Sequence, residues 1–199
     1  MPSGRTHDRI TLWGLPWVVM IAYLLTRDGE ITLIVGLAYL FSGLMFGPDL
    51  DIHSVQFKRW GIFRWIWLPY QKTLRHRSNL SHGFLVGTTL RVIYFSAFLL
   101  LVGMIAVAIA QGVWGFEWNW QAFFVVGGQQ VHKNYWVEVL ALFVGLEIGA
   151  MSHSVSDWTG SAIKQYKKKG LAGVFAQKKS KRKRAKRRKR SSSRKRSRK

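Results

Sequence analysis

The chain of 199 residues contains no cysteine. This absence excludes disulfide bonds, cysteine-held iron–sulfur clusters, and haem attached through a Cys-x-x-Cys-His motif. Acidic residues are scarce, since 9 Asp and Glu stand against 31 Lys and Arg. Residues 164–199 hold 20 of those basic residues and none of the acidic ones, which leaves 11 basic and 9 acidic residues in 1–163. The net charge of +22 therefore belongs mainly to a basic tail.

Charge is also nearly absent from four long apolar runs in the first 163 residues. A bilayer core about 30 Å thick needs about 20 helical residues to cross it. Helices of soluble proteins usually show a polar face, which disfavours the alternative of a large soluble all-α domain. We predict an all-α membrane protein: a bundle of about four transmembrane helices with an interfacial loop (residues 1–163), followed by a disordered basic tail (164–199). The predicted spans are about 10–25, 31–47, 83–110 and 137–156.

The ten tryptophans support a membrane location, because most lie near or beyond the ends of the apolar runs. Amphipathic aromatic side chains collect at membrane–water interfaces. We therefore expect Trp60, Trp65 and Trp67, in the loop between the second and third runs, to lie at the membrane surface.

The distribution of Lys and Arg predicts the topology. Basic residues concentrate in the N-terminal arm, in the loop 48–82 and in the tail, whereas the loops 27–30 and 111–136 are poor in them. Because cytoplasmic loops carry the excess of Lys and Arg, four spans would place both termini in the cytoplasm. We expect an integral protein of the plasma or thylakoid membrane.

His and Asp residues recur in four patches, each at the predicted cytoplasmic end of an apolar run. Imidazole and carboxylate groups are ligands of divalent metal ions. The topology prediction used only Lys and Arg, so this coincidence supports a metal site independently. The seven candidate ligands are His7, Asp49, Asp51, His76, His82, His153 and Asp157.

Each patch also has an ordinary interpretation. Asp49 and Asp51 could be solvated acids of a turn, and the histidines of the third patch could be interfacial residues of a basic loop. His153 and Asp157, four residues apart on one helix face, could form a simple hydrogen bond. His53 is ambiguous, and His132 falls on the opposite side and is excluded.

Two charges lie inside the predicted spans. At about 1.5 Å per residue, Arg91 lies roughly 13 Å from His82 and Glu147 roughly 9 Å from His153. Intramembrane charges are costly and usually paired. We therefore predict an Arg91–Glu147 ion pair beneath the metal site.

The four blocks together resemble a family of small bacterial integral membrane proteins described as metal-binding or as membrane-bound metal-dependent hydrolases. The resemblance covers about residues 4–160 and rests on the N-terminal His, the Pro-Asp-x-Asp block, the His-Arg-(x)4-Ser-His block and the late His-x-x-x-Asp. The third block, one residue longer between its histidines than in many members, is most similar to a cyanobacterial branch of uncharacterised metal-binding proteins. The resemblance implies that the same seven residues form the metal site.

These ligands support two main functional hypotheses. Seven ligands exceed the need of one structural ion, and two ions about 3.5–4 Å apart would use them. Mixed His and carboxylate ligands favour Zn, Mn, Fe or Ni. The first hypothesis is a hydrolase of a lipid or phosphoester, with Asp51 or Asp157 as general base and Arg77 holding the substrate anion. The second is a non-catalytic, metal-stabilised scaffold or assembly factor, and a third is tetrapyrrole ligation by an interfacial His.

The tail adds candidate partners besides the bilayer. A segment of Lys, Arg and Ser cannot bury enough apolar surface to order itself. It could bind anionic lipid through its charge, or RNA, including the ribosome, through counterion release. It could also recruit a membrane protein complex or act only as a solvated topology anchor.

Overall fold

The computed structural model describes residues 4–74, 78–163 and 166–167, and within these ranges it is helical with no β-strand. The chain divides into two compact units whose boundary lies between Ser156 and Asp157. Two 3-10 helices cover Pro48–Asp51 and Gly61–Trp67. The α-helices are α1 (Gly4–Thr26), α2 (Gly29–Leu44), α3 (Val55–Arg59), α4 (Leu68–Thr73), α5 (Asn79–His82), α6 (Val86–Trp114), α7 (Trp120–Asn134) and α8 (Trp136–Ile163).

Four helical segments are long and apolar enough to cross a membrane: α1, α2 together with the 3-10 helix that follows it (Gly29–Asp51), α6 and α8. The predicted all-α class is confirmed, with four segments able to span a membrane. The outer surface agrees with this assignment, because large apolar side chains such as Leu101, Ile105 and Ile109 of α6 are exposed. The helices are longer than the apolar runs: α1 already begins at Gly4, so that His7 lies inside the helix rather than before it.

The first two spans form a tight antiparallel hairpin. Only Arg27 and Asp28 separate α1 from α2, and Arg27 adopts a positive φ of 53°. Asp28 caps α2, since its carboxylate accepts hydrogen bonds from the amides of Glu30 and Ile31 at 2.8 and 3.1 Å. Such a cap satisfies amides that would otherwise lack partners at the helix start. The hairpin brings the start of α1 beside the end of α2.

Small residues let α2 and α8 approach closely. A Cβ added to Gly145 would lie 2.5 Å from the carbonyl oxygen of Val35, and one added to Gly149 would lie 2.7 Å from the Cβ of Ser42. Ser42 also donates a hydrogen bond to the carbonyl of Leu146. Close backbone approach at small residues is a common means of helix association in membranes. It brings His153, one turn beyond Gly149, towards the end of α2.

The loop tryptophans only partly follow the interface pattern. Trp65 is exposed, but Trp67 is fully buried and Trp60 is half-buried. Trp67 stacks on Phe95 of α6 with ring centroids 5.8 Å apart and meets Phe46 edge to face at 5.5 Å. Trp60 and Trp67 therefore pack against protein, and of these three rings only Trp65 is exposed. Both rings fill the space between α2, α6 and the 3-10 helix Gly61–Trp67, because the loop folds back onto the helices.

Candidate metal centre

Five of the predicted ligands converge at one end of the bundle. His7 comes from α1, Asp49 and Asp51 from the 3-10 helix after α2, His82 from the end of α5, and His153 from α8. We refer to these five side chains as the polar cluster. They are remote in sequence and meet only because the helix ends meet.

Asp49 is at the centre of the polar cluster. Its Oδ2 lies 3.2 Å from His153 Nε2, and its Oδ1 lies 3.5 Å from His82 Nε2. The second carboxylate approaches the other nitrogen of the same ring, with Asp51 Oδ2 3.8 Å from His82 Nδ1. Each oxygen of Asp49 thus faces a different imidazole, while Asp51 lies on the far side of His82.

His7 joins the polar cluster through His153. The two rings stack with centroids 3.9 Å apart and planes inclined by 21°. One ring nitrogen of each residue lies within 4.8 Å of one on the other, close enough for ligands of neighbouring or shared ions. The Nδ1 of His7 lies 2.6 Å from the Ser156 hydroxyl, which fixes the orientation of the ring.

Backbone carbonyls of the 3-10 helix and its flank hold the two aspartates in place. Gln71 of α4 donates from its amide nitrogen to the carbonyls of Leu50 and Ile52, both at 3.0 Å. Leu50 is fully buried between the two aspartates. The anchored Leu50 and the two carbonyl bonds fix the turn, so both carboxylates are held beside the imidazoles.

A bidentate ion pair places the start of α1. Arg59 donates from Nη1 to Asp8 Oδ1 at 2.9 Å and from Nη2 to the other carboxylate oxygen. The same Nη1 donates to the Leu44 carbonyl at the end of α2, at 2.8 Å. Planar two-point contacts of this kind are geometrically specific. They hold the neighbouring His7 at the level of the cluster.

Arg91 helps to orient His82 through the neighbouring Ser81. The Ser81 hydroxyl lies 2.9 Å from His82 Nδ1, and the Ser81 carbonyl accepts a hydrogen bond from Arg91 Nη1 at 3.0 Å. Arg91 Nη2 donates to the Thr88 hydroxyl at 2.9 Å. Arg91 is almost fully buried, so it holds the turn that carries His82 from inside the protein.

The predicted Arg91–Glu147 ion pair is wrong as a direct contact within the described ranges. Glu147 Oε1 instead accepts the backbone amide of Leu85 at 2.9 Å, and the two charges interact only through space. Leu85 has a positive φ of 58°, a break between α5 and α6 that frees this amide. Side chains of a helix lean towards its N-terminus, so Arg91 reaches back to Ser81 rather than across to α8.

Buried Tyr70 connects this support to the aspartates. Burial raises the pKa of the Tyr70 hydroxyl, the positive charge of Arg91 lowers it, and the negative charge of Asp51 raises it. Tyr70 therefore lies within electrostatic reach of both residues. The groups that orient His82 and those that surround Asp51 belong to one buried region.

The polar cluster fits a divalent cation. Asp49 Oδ1 and both ring nitrogens of His153 are buried and, among the described residues, have no partner in hydrogen-bonding geometry, although His153 Nε2 lies 3.2 Å from Asp49 Oδ2. Leaving such a buried group without a partner costs about 1–3 kcal/mol. A Zn ion or another first-row metal ion binds such mixed nitrogen and oxygen ligands, and would supply the partner that these buried atoms lack.

Four other candidates from the sequence are not among the five residues of the polar cluster. His76 and Arg77 lie outside the described residues. Asp157 is the first residue of the second unit and follows His153 by one turn of α8. His53 is exposed and packs on Phe57, with ring centroids 4.8 Å apart.

Sequence analysis missed two hydroxyl groups, Ser81 and Ser156, that orient cluster histidines. The spacing offered a signal for both. Ser81 directly precedes His82, and Ser156 follows His153 by three residues, nearly one helical turn.

Comparison with known proteins gives a family and little more. The family model described as "Uncharacterized metal-binding protein (DUF2227)" matches residues 2–167. An uncharacterized protein of Aquifex aeolicus (strain VF5) is 33% identical over 60 residues, which are 30% of this chain and 42% of that relative. The chain thus aligns with less than half the length of that relative. No solved structure matches.

Proposed function

This chain belongs to the DUF2227 family of uncharacterized metal-binding proteins, and from its polar cluster we propose that it holds one or two divalent metal ions at the cytoplasmic end of a four-span membrane bundle. The observation that carries the proposal is the meeting of three imidazoles and two carboxylates: Asp49 faces His82 and His153, Asp51 approaches His82, and His7 stacks on His153. The cytoplasmic placement rests on the distribution of Lys and Arg. The proposed ligands are His7, Asp49, Asp51, His82 and His153, with His76 and Asp157 completing the set.

The geometry supports different roles for the two aspartates. Asp49 faces the Nε2 atoms of two histidines, so it is the natural shared ligand. Asp51 and Ser81 face the Nδ1 side of His82, so Asp51 would orient this ring in addition to its place in the ligand set. Carboxylates behind ligand histidines fix the ring and increase its basicity. The ion that these groups would hold is Zn, Mn, Fe or Ni.

We favour a structural role for the metal, because its proposed ligands come from all four spans or their flanks. A cation bound only by the folded protein adds about 4 kcal/mol of stability when its free concentration is 1,000 times its Kd. The ion would join α1, α2, α6 and α8 at one end. Such a metal-stabilised scaffold could recruit anionic lipid, RNA or a protein complex through the basic tail.

Metal-dependent hydrolysis of a lipid or phosphoester is the second candidate. The unequal solvent exposure of the side chains in the polar cluster favours it. The side chains of Asp49 and His82 are 17% and 16% exposed, whereas those of His153 and Asp51 are 3% and 0% exposed. One side of the cluster is therefore accessible. A bound divalent ion would supply a hydroxide near neutral pH, and Asp51 or Asp157 would accept a proton. Stoichiometric metal without phosphoester turnover would leave only the scaffold.

Elemental analysis of the purified full chain tests metal binding. We expect a stoichiometric transition metal in the unaltered protein and a loss of most of it in His82→Ala, because that substitution removes a ring that faces Asp49. His132→Ala is the matched control: His132 is on α7, remote in sequence from every cluster residue, and the variant should keep the metal. Equal metal content in the two variants would refute the proposed ligand set.

A further inference from the structure

The 3-10 helix Gly61–Trp67 packs against a part of α6 that has no charge. The Tyr94 hydroxyl donates to the carbonyl of Ile66, Trp67 stacks on Phe95, and Trp65 meets Phe98 edge to face at 5.4 Å. All three α6 residues follow Arg91, the last charged residue of that helix. The loop therefore contacts the side of the span and not merely its polar end.

The contacts correspond to a depth inside the bilayer. The stretch of α6 from Val92 to Val113 is uncharged and about 33 Å long at 1.5 Å per residue, close to the thickness of a hydrocarbon core. Phe98 is six residues into this stretch, about 9 Å from its start. Trp65, which contacts Phe98, then lies below the headgroup level. We propose that the 3-10 helix Gly61–Trp67 enters the acyl-chain region of the lipid leaflet that lies on the same side of the membrane as the polar cluster.

The exposed face of this element is suited to lipid. A 3-10 helix repeats every three residues, so Ile62 and Trp65 lie along one line with Leu68, the residue directly after this helix. We call these three residues the lipid stripe. Their exposed fractions are 81%, 54% and 40%. The opposite side is occupied by the protein, since Ile66 and Trp67 are buried. The lipid stripe continues the apolar surface of α6 through the Trp65–Phe98 contact.

The backbone of the element tolerates such an environment. Lipid offers no partners to amides and carbonyls, so an inserted segment must satisfy them internally. The helical turn does so in part, as the amide of Phe63 donates to the carbonyl of Trp60 at 2.9 Å. Pro69, just beyond, has no amide to satisfy. The Ile66 carbonyl receives the Tyr94 hydroxyl.

Exposed cations lie on both sides of the 3-10 helix Gly61–Trp67 and, at Arg64, within it. Lys58, Arg64 and Lys72 are all exposed, while no Asp or Glu occurs between Asp51 and Glu117. Long basic side chains keep their charge at the headgroups while their stems cover apolar surface. Each adds about 1 kcal/mol of attraction to an anionic leaflet. This charge favours a phospholipid leaflet, rather than a second copy of this basic chain, as what covers the stripe.

The absence of cysteine makes the test direct. Single variants Ile62→Cys, Trp65→Cys and Leu68→Cys, each carrying a nitroxide label, are reconstituted as full-length protein in phosphatidylglycerol–phosphatidylcholine vesicles. Collision rates with oxygen, which concentrates in lipid, and with chromium oxalate, which stays in water, report the environment of each label. Lys58→Cys and Lys72→Cys provide controls outside the acyl-chain region, and Ile105→Cys of α6 provides a lipid-facing control.

We expect the stripe labels to match Ile105→Cys, with an oxygen-to-chromium ratio several-fold above that of Lys72→Cys. Ratios equal to those of the lysine positions would show a water-exposed loop and would overturn the proposal. Labels shielded from both reagents would show that protein covers the stripe, which also overturns it. If Trp65→Cys fails to fold, Ile62→Cys and Leu68→Cys on the same line decide the matter.

Discussion

Asp49→Asn is expected to abolish metal retention by the purified protein. The asparagine side chain lacks the negative charge that Asp49 places between His82 and His153. It also has an NH2 group, which is not a metal ligand, in place of one carboxylate oxygen. Loss of a group that only hydrogen-bonds to a metal ligand costs about 10–100-fold in metal affinity. The loss of Asp49, the proposed central ligand, should therefore cost more than about 100-fold. Competitive titration with a chromophoric chelator measures the change.

The same variant should lose the metal-dependent part of its stability. A chelator should lower the Tm of the unaltered protein, because the proposed ion would join the ends of all four spans, and should leave the Tm of Asp49→Asn unchanged. Asp28→Asn is a matched control at the opposite end, where Asp28 caps α2. Asparagine caps a helix as well as aspartate does, so this control should keep both metal and chelator response. A full chelator response in Asp49→Asn would contradict the assignment.

Arg91→Leu is the second substitution with a large expected effect. It removes the hydrogen bonds to the Ser81 carbonyl and to Thr88, and so releases the turn that carries His82. We expect metal affinity to fall about 10–100-fold, the range typical for groups that support a ligand. Circular dichroism should show the helices unchanged, which separates loss of positioning from loss of fold.

Two further variants define the role of this network. Arg91→Lys keeps the charge but lacks the planar fork that reaches two acceptors, so its affinity should lie between those of Arg91→Leu and the unaltered protein. Glu147→Gln keeps an oxygen to accept the Leu85 amide and should retain nearly full affinity. An Arg91→Leu protein with undiminished affinity would show that His82 is held by other contacts.

The four apolar helices and the His and Asp patches at their ends could be predicted from the sequence because both depend on local patterns. An uncharged run of about 20 residues has few alternatives to a membrane helix, and the four runs correspond to α1, α2, α6 and α8. The histidines and aspartates at the run ends were recognisable because such groups are unusual beside apolar helices. Their meeting followed from the alternation of the spans.

Features that the sequence did not reveal depend on tertiary structure. Trp67 is an amphipathic aromatic residue in a loop between two apolar runs, which suggests a membrane interface. Only the folding of its loop onto Phe46 and Phe95 makes it a core residue. The Arg91–Glu147 prediction used depth along straight helices. It could not include the positive φ of Leu85, which breaks the chain before α6 and supplies Glu147 with a backbone amide.

X-ray absorption at the K-edge of the metal in the purified full chain tests the central claim most directly. The account predicts a first shell of nitrogen and oxygen at about 2.0–2.2 Å for zinc, with the outer scattering pattern of at least two imidazole rings. That imidazole signal should weaken in His153→Ala, whose ring lies 3.2 Å from Asp49 in the unaltered protein. A shell of oxygen alone, unchanged in His153→Ala, would show that the ion is held elsewhere and would contradict the account.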